Sequence, residues 1–87
     1  MDSQQIQELE GVIGGYLARE ISGGRSREID RDDDLFASGR VDSVGIMRLI
    51  AHLESTLSVQ IPPTDLVPEN FRTIGVMAAY LSQLLDQ

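Results

Sequence analysis

The sequence predicts an all-α fold: a small four-helix bundle of three main helices and one short one, with a long loop between the first and second helices. Three observations carry this. Apolar residues recur at three- and four-residue intervals in three separate stretches of the 87-residue chain. Capping residues and breakers fall at the ends of those stretches. Nothing alternates long enough to build a sheet, since Val59-Gln60-Ile61 is too short for a useful strand.

The first helix is expected over residues 3–21, where Ile6, Leu9, Ile13, Tyr16, Leu17 and Ile21 share one face. Gly11, Gly14 and Gly15 lie inside it, and each weakens a helix by ~1 kcal/mol relative to Ala. The helix therefore depends on packing, with a bend or a close neighbour expected at the glycines. Gly23 and Gly24 stop it.

Residues 23–42 break the pattern. Positions 25–34 are a charged run with Ile29 as the one apolar residue, read as a solvated loop. Leu35 and Phe36 then stand side by side, and both are expected to pin the loop to the core. A loop this long in a compact domain points to function.

The second helix starts at Asp42 or Ser43, either of which is a good cap, and runs to about Leu57. Val44, Met47, Ile50, Leu53 and Leu57 make its apolar stripe, widened by Ile46 and Leu49. So broad a face belongs in the middle of a bundle. Pro62 and Pro63 interrupt the chain. Thr64 or Asp65 is expected to cap a short third helix near Leu66, bounded by Pro68. Thr73 caps the fourth, with Ile74, Met77, Ala78, Leu81, Leu84 and Leu85 on one side.

Composition narrows the function. With 14 acidic and 7 basic residues the formal net charge is −7. Nucleic acid and anionic membrane surfaces repel such a chain, whereas basic protein partners attract it. There is no cysteine, which excludes disulfides, a cysteine nucleophile and a cysteine zinc site. No signal peptide is read at the N-terminus and no apolar run is long enough to span a membrane, so a cytoplasmic location without membrane insertion is expected.

Candidate sites divide quickly. Asp30, Asp32 and Asp34 have the opening spacing of a calcium loop, but Leu35 stands where that loop needs Gly and Val41 where it needs Glu. They are read as a solvated acidic loop. His52, the one histidine, lies nine residues from Ser43 on the same expected helix. That separation is far beyond hydrogen-bond reach, so a Ser–His nucleophile is rejected. The glycine pairs lack the lysine and spacing of a phosphate loop, and a chain with two Tyr, two Phe and no Trp offers no base-stacking platform. Ser43 remains. Taken alone, Asp42-Ser43 is a helix cap.

Its surroundings say more. The stretch Leu35-Phe36-Ala37-Ser38-Gly39-Arg40-Val41-Asp42-Ser43-Val44 resembles the attachment motif of acyl and peptidyl carrier proteins. The segment from Asp65 to Ile74 is similar to that family's third helix and the approach to its fourth, so the likeness covers nearly the whole chain in order. The resemblance implies a single carrier domain over residues 1–87 that is not an enzyme. It implies that a phosphopantetheinyl transferase moves 4'-phosphopantetheine from coenzyme A onto the Ser43 hydroxyl, and that the arm supplies the thiol this chain lacks. By the same resemblance Asp42 serves recognition by the transferase. Val44, Met47 and Arg48 are expected partner contacts, with core packing the competing reading for Met47.

Gly45 and Arg48 stand where fatty-acid carriers have acidic residues, so the usual acidic stripe is largely missing from this helix. The Leu-Phe-x-x-Gly phrase looks more like discrete carriers of the D-alanyl type, or of polyketide and nonribosomal peptide (antibiotic) pathways. The expected partners are an adenylating acyl or aminoacyl ligase and a downstream acyltransferase, ketosynthase or condensation enzyme. The expected form is a stand-alone monomer in secondary metabolism. D-alanyl and modified-malonyl cargo are the alternatives. A rival of another class is a plain helical interaction module in which Asp42-Ser43 is only a cap.

Overall fold

The computed structural model describes residues 3–21, 30–37, 39 and 41–86. Helix α1 is Ser3–Tyr16 and continues as a wider π-helical turn, Leu17–Ile21. Helix α2 is Ser43–Leu57, α3 is Pro68–Phe71 and α4 is Ile74–Leu85. A single 3₁₀ turn, Pro63–Asp65, precedes α3. Among the described residues there is no strand, and no helix is long and apolar enough to cross a membrane. The expected all-α architecture of three main helices and a short one is what forms.

Each main helix contributes one stripe to a shared core. Leu9, Ile13, Tyr16 and Leu17 come from α1 and its extension, Leu49, Ile50 and Leu53 from α2, and Ile74, Met77, Ala78 and Leu81 from α4. Leu35, Val41, Ile61 and Phe71 close it from the connections. Burying side chains of this size stabilises the fold by ~1.5–3 kcal/mol each before ordering entropy is subtracted. Among the described residues one polar side chain joins the core: Ser82 is fully buried, and its hydroxyl donates to Gln5 Oε1 at 2.7 Å. That bond ties the C-terminal helix to the start of α1 and satisfies a group whose burial would otherwise be costly.

Four expectations need correction or refinement. The α-helical hydrogen-bond pattern of the first helix ends at Tyr16 rather than at residue 21, and the last five residues widen into the π turn. The stop signal at Gly23-Gly24 and the anchor Ile29 lie outside the described residues. The stripe of α2 is rotated from the expected one. Leu49 and Leu53 are fully buried at its centre, while Val44 and Met47 face outward. Pro68 begins α3 instead of bounding it, because a proline lacks only an N–H that the first helical position would leave unpaired anyway. The turn near Thr64 and Asp65 is a separate 3₁₀ piece. Finally, Leu35 is 0% exposed and pins the loop as expected, but its neighbour Phe36 is 36% exposed and does not.

The described part of the first loop is held by its own carboxylates. Asp30 Oδ1 accepts from the Asp32 N–H, and Asp34 Oδ1 accepts from the Phe36 and Ala37 N–H groups. Arg31 ties it to two helices. Its guanidinium reaches Glu10 of α1 at 2.8 Å, and its carbonyl accepts from the Gly75 N–H in the first turn of α4 at 3.0 Å. Gly75 is buried beneath that guanidinium, and a Cβ there would lie 3.0 Å from Arg31 Nη2, so the close crossing requires glycine or a shift of the arginine.

Candidate functional site

Ser43 sits at the head of α2, and the chain reaches it through a turn with an explicit glycine requirement. The Gly39 N–H donates to the Phe36 carbonyl at 3.1 Å, and Val41 N–H returns to the Leu35 carbonyl at 3.2 Å. Gly39 has φ of +74°, in the left-handed region, with nothing within 4 Å of where a Cβ would go. The glycine is required by backbone conformation and not by crowding. With Leu35 buried beneath and Gly39 reversing the chain, Val41 drops into the core at 4% exposure. The next residues emerge at the surface.

Of the two possible caps, Asp42 takes the role. Its backbone is extended, its Oδ1 accepts from the Gly45 N–H at 2.7 Å, and its carbonyl accepts from the Ile46 N–H at 2.9 Å. Those bonds leave the N–H groups of Ser43 and Val44 with no intrahelical acceptor. Ser43 is exposed, and its hydroxyl is not spent on capping. The buried Gly45 keeps the first turn of the helix close to the core on its inner side.

The outward side is apolar. Val44 is 63% and Met47 58% exposed, and Arg48 is exposed beside them. Core packing for Met47 is therefore ruled out by its position. Met47 borders an apolar groove of about 220 Å³, lined by Phe36, Ile46, Met47, Ile50, Leu66, Val67, Pro68 and Phe71. The groove explains Phe36: the second residue of the Leu-Phe pair walls this depression instead of entering the core. Sequence reasoning missed Phe36, Leu66 and Val67 as members of this surface. The one available signal was two large apolar residues, Leu66 and Val67, placed directly before a proline in a polar connection.

The other candidates fall away from this surface or into structure. The ring of His52 stacks on Tyr16 with centroids 4.4 Å apart, and its Nε2 lies 3.3 Å from Thr56 Oγ1. It packs α2 against the end of α1 and is half-buried. Asp30, Asp32 and Asp34 form the turn described above. Among the described residues no cluster of three or more metal-ligating side chains is present.

The groups present fit a covalent anion at Ser43. An exposed hydroxyl at the first position of a 15-residue helix is open to modification, and the helix dipole with unpaired N–H groups favours a phosphate there. Asp42 opposes it by charge, but its carboxylate is already engaged with Gly45.

A small helical bundle with an exposed serine opening its second helix has the architecture of a substrate-tethering protein, and the comparisons assign that class. Residues 17–81 match the family described as "Phosphopantetheine attachment site", and this chain belongs to that family of carrier proteins. It is 33% identical over 67 residues to the D-alanyl carrier protein of Lactococcus lactis subsp. cremoris (strain MG1363), a match covering 77% of this chain and 85% of that protein. It is 37% identical over 53 residues to the D-alanyl carrier protein of Streptococcus pyogenes serotype M5 (strain Manfredo), covering 61% of this chain and 67% of the relative. Among solved structures it resembles a chain from a crystal structure described as that of an FAD-dependent dehydrogenase. The TM-score is 0.73 at 27% identity, over 80% of this chain and 99% of that one. The protein therefore holds groups on a covalently attached 4'-phosphopantetheine and is itself non-catalytic.

Proposed function

We propose that Ser43 is the residue that bears the phosphopantetheine, and that the arm carries an amino acid of D-alanyl type loaded by a free-standing adenylating ligase. The observation that supports the first part is the division of labour at the head of α2: Asp42 caps the helix and leaves the exposed Ser43 hydroxyl unengaged. The arm, when bound, supplies a terminal thiol on which an acyl group is held as a thioester. What this chain's own residues do is fix the attachment point, present an anion-favouring helix end and offer the Val44–Met47–Arg48 face to partner enzymes.

Support for the cargo comes from the D-alanyl relatives together with the charge of α2. Between Asp42 and Glu54 that helix has no carboxylate and one cation, Arg48. A partner built to read an acidic helix finds nothing complementary here, whereas one with an apolar contact flanked by a carboxylate does. A second reading, favoured by the dehydrogenase structure, is a secondary-metabolite carrier whose tethered acyl group is oxidised by a flavin enzyme before transfer.

Incubation with a broad-specificity phosphopantetheinyl transferase and coenzyme A should add one phosphopantetheine mass to the wild type and none to Ser43→Ala. The holo protein should then accept D-alanine from a D-alanine-activating ligase and ATP. Modification of the Ser43→Ala protein would overturn the assignment of the residue. Refusal of D-alanine with acceptance of a malonyl-derived unit would favour the second reading.

A further inference from the structure

The outer wall of the apolar groove is the chain from 65 to 71, which presents Leu66 and Val67 at its surface. That segment has little structure of its own, a 3₁₀ turn of three residues and a helix of four. Helices this short do not sustain themselves in water, because one turn does not repay the entropy of nucleation. The wall must be held from outside.

Tyr80 of α4 touches both of its ends. The Tyr80 hydroxyl donates to Asp65 Oδ2 at 2.7 Å. Its ring meets Phe71 edge to face, with centroids 5.8 Å apart and planes at 62°. Asp65 is a hub in turn, since its carbonyl accepts from the Val67 N–H and from Asn70 Nδ2, each at 2.9 Å. One side chain thus anchors residue 65 and residue 71, and Leu66 and Val67 hang between them.

We propose that Tyr80 is a positioning residue for partner docking. Acting through Asp65 and Phe71, it fixes Leu66 and Val67 opposite Met47, and so sets the shape of the surface that an enzyme meets when it approaches Ser43. This rests on the reading of Ser43 as the attachment residue. The bond suits the task, because a carboxylate acceptor in a half-buried setting makes a charge-assisted hydrogen bond, stronger than a neutral one. Burial, and then the bond to Asp65, hold the Tyr80 phenol well above its ordinary range, so it stays a donor at neutral pH.

The test compares wild type with Tyr80→Phe, which keeps the ring and removes the hydroxyl. Amide exchange at Val67 and Asn70 should accelerate about tenfold or more, while Leu49 and Leu53 in α2 keep their protection. With a broad-specificity phosphopantetheinyl transferase and coenzyme A, KM for the protein should rise with kcat unchanged. Asp65→Asn, which leaves the Tyr80 hydroxyl an acceptor, should by itself keep both readouts near the wild-type values. Asp65→Ala gives the same comparison should Tyr80→Phe fail to fold. Exchange that rises equally throughout α2 and α4, or an unchanged KM in a modifiable protein, overturns the proposal. A wild type that accepts no phosphopantetheine would overturn the Ser43 reading instead, and the positioning role with it; the exchange data alone would then report only a structural clasp.

Discussion

Replacing Asp42 separates two roles that its sequence neighbourhood leaves fused. Its carboxylate accepts the Gly45 N–H at 2.7 Å and stands at the positive end of the α2 dipole. Asp42→Ala removes both effects but leaves the backbone bond from Ile46 to the Asp42 carbonyl intact. Loss of an N-cap side chain costs about 1 kcal/mol. Loss of the charge at an exposed helix end adds ~0.3–1 kcal/mol. The expected total is therefore roughly 1–2 kcal/mol. In a domain of this size 1 kcal/mol lowers the melting temperature by ~4–8 °C. Asp42→Asn keeps a capping oxygen and loses only the charge, so it should recover most of that difference. Thermal melts of the unmodified proteins at low ionic strength measure both. If Asp42→Ala melts with the wild type, the cap assignment is wrong. The same variants then address recognition. A transferase that reads the carboxylate should act slowly on Asp42→Asn despite its near-native melting, whereas one that needs only a formed helix should modify it at the wild-type rate.

Three further outcomes are expected. Leu35→Ala should cost ~2–5 kcal/mol in chemical denaturation, as a fully buried leucine does, while Phe36→Ala should cost clearly less because that ring walls an open groove. Gly39→Ala should cost ~1–2 kcal/mol from its left-handed backbone alone, since nothing crowds the new methyl group. Tyr80 binds its proton more tightly in the folded state than its ordinary value of 10.0 allows, so its contribution is complete below that pH and is lost as pH rises through the higher folded value. Melting temperature should accordingly fall more steeply at alkaline pH in the wild type than in Tyr80→Phe, and parallel curves would refute this.

The parts legible in the sequence are those whose cause is local. Thr73 accepts from the Val76 N–H and opens α4 where the capping pattern placed it, and the Asp42 carboxylate does the same for α2. The periodic face of α4 left little freedom in what it buries, whereas the broader apolar face of α2 left its rotation open. The elements that were misread have causes far away in the chain. Pro68 punctuates any sequence, and nothing local distinguishes a proline that ends a turn from one that begins a four-residue helix. Tyr80 meets that helix at Phe71 and bonds Asp65, fifteen positions earlier in the chain. Likewise Leu35 and Phe36 are adjacent and equally apolar, and their opposite fates are set by where Val41, α2 and α3 come to lie. The ion pair of Arg31 with Glu10 spans twenty-one positions and required folding to become visible.

The two faces of α2 show why a carrier tolerates apolar exposure that a simple bundle would remove. Leu49 and Leu53 are completely buried, yet Val44 and Met47, on the same helix, keep more than half of their surface in solvent. Covering either would stabilise the chain by up to ~1.5–3 kcal/mol, so their exposure is a cost carried by the isolated protein. A contiguous apolar patch beside a groove is the usual mark of a surface completed by a partner. The fold isolates that cost. Stability comes from α1 and α4 and from the inner face of α2, with the Ser82–Gln5 bond remote in sequence from the groove-lining segments and the stacked pair Tyr16–His52 outside the groove lining. On the proposed reading of Ser43, the surface beside it can be tuned to partner enzymes, through Met47, Arg48, Leu66 and Val67, with little consequence for the core. The exception is Tyr80, which belongs to the helix that builds the core and yet grips the wall of the groove. It is the point at which a change made for stability alters the surface that partners meet.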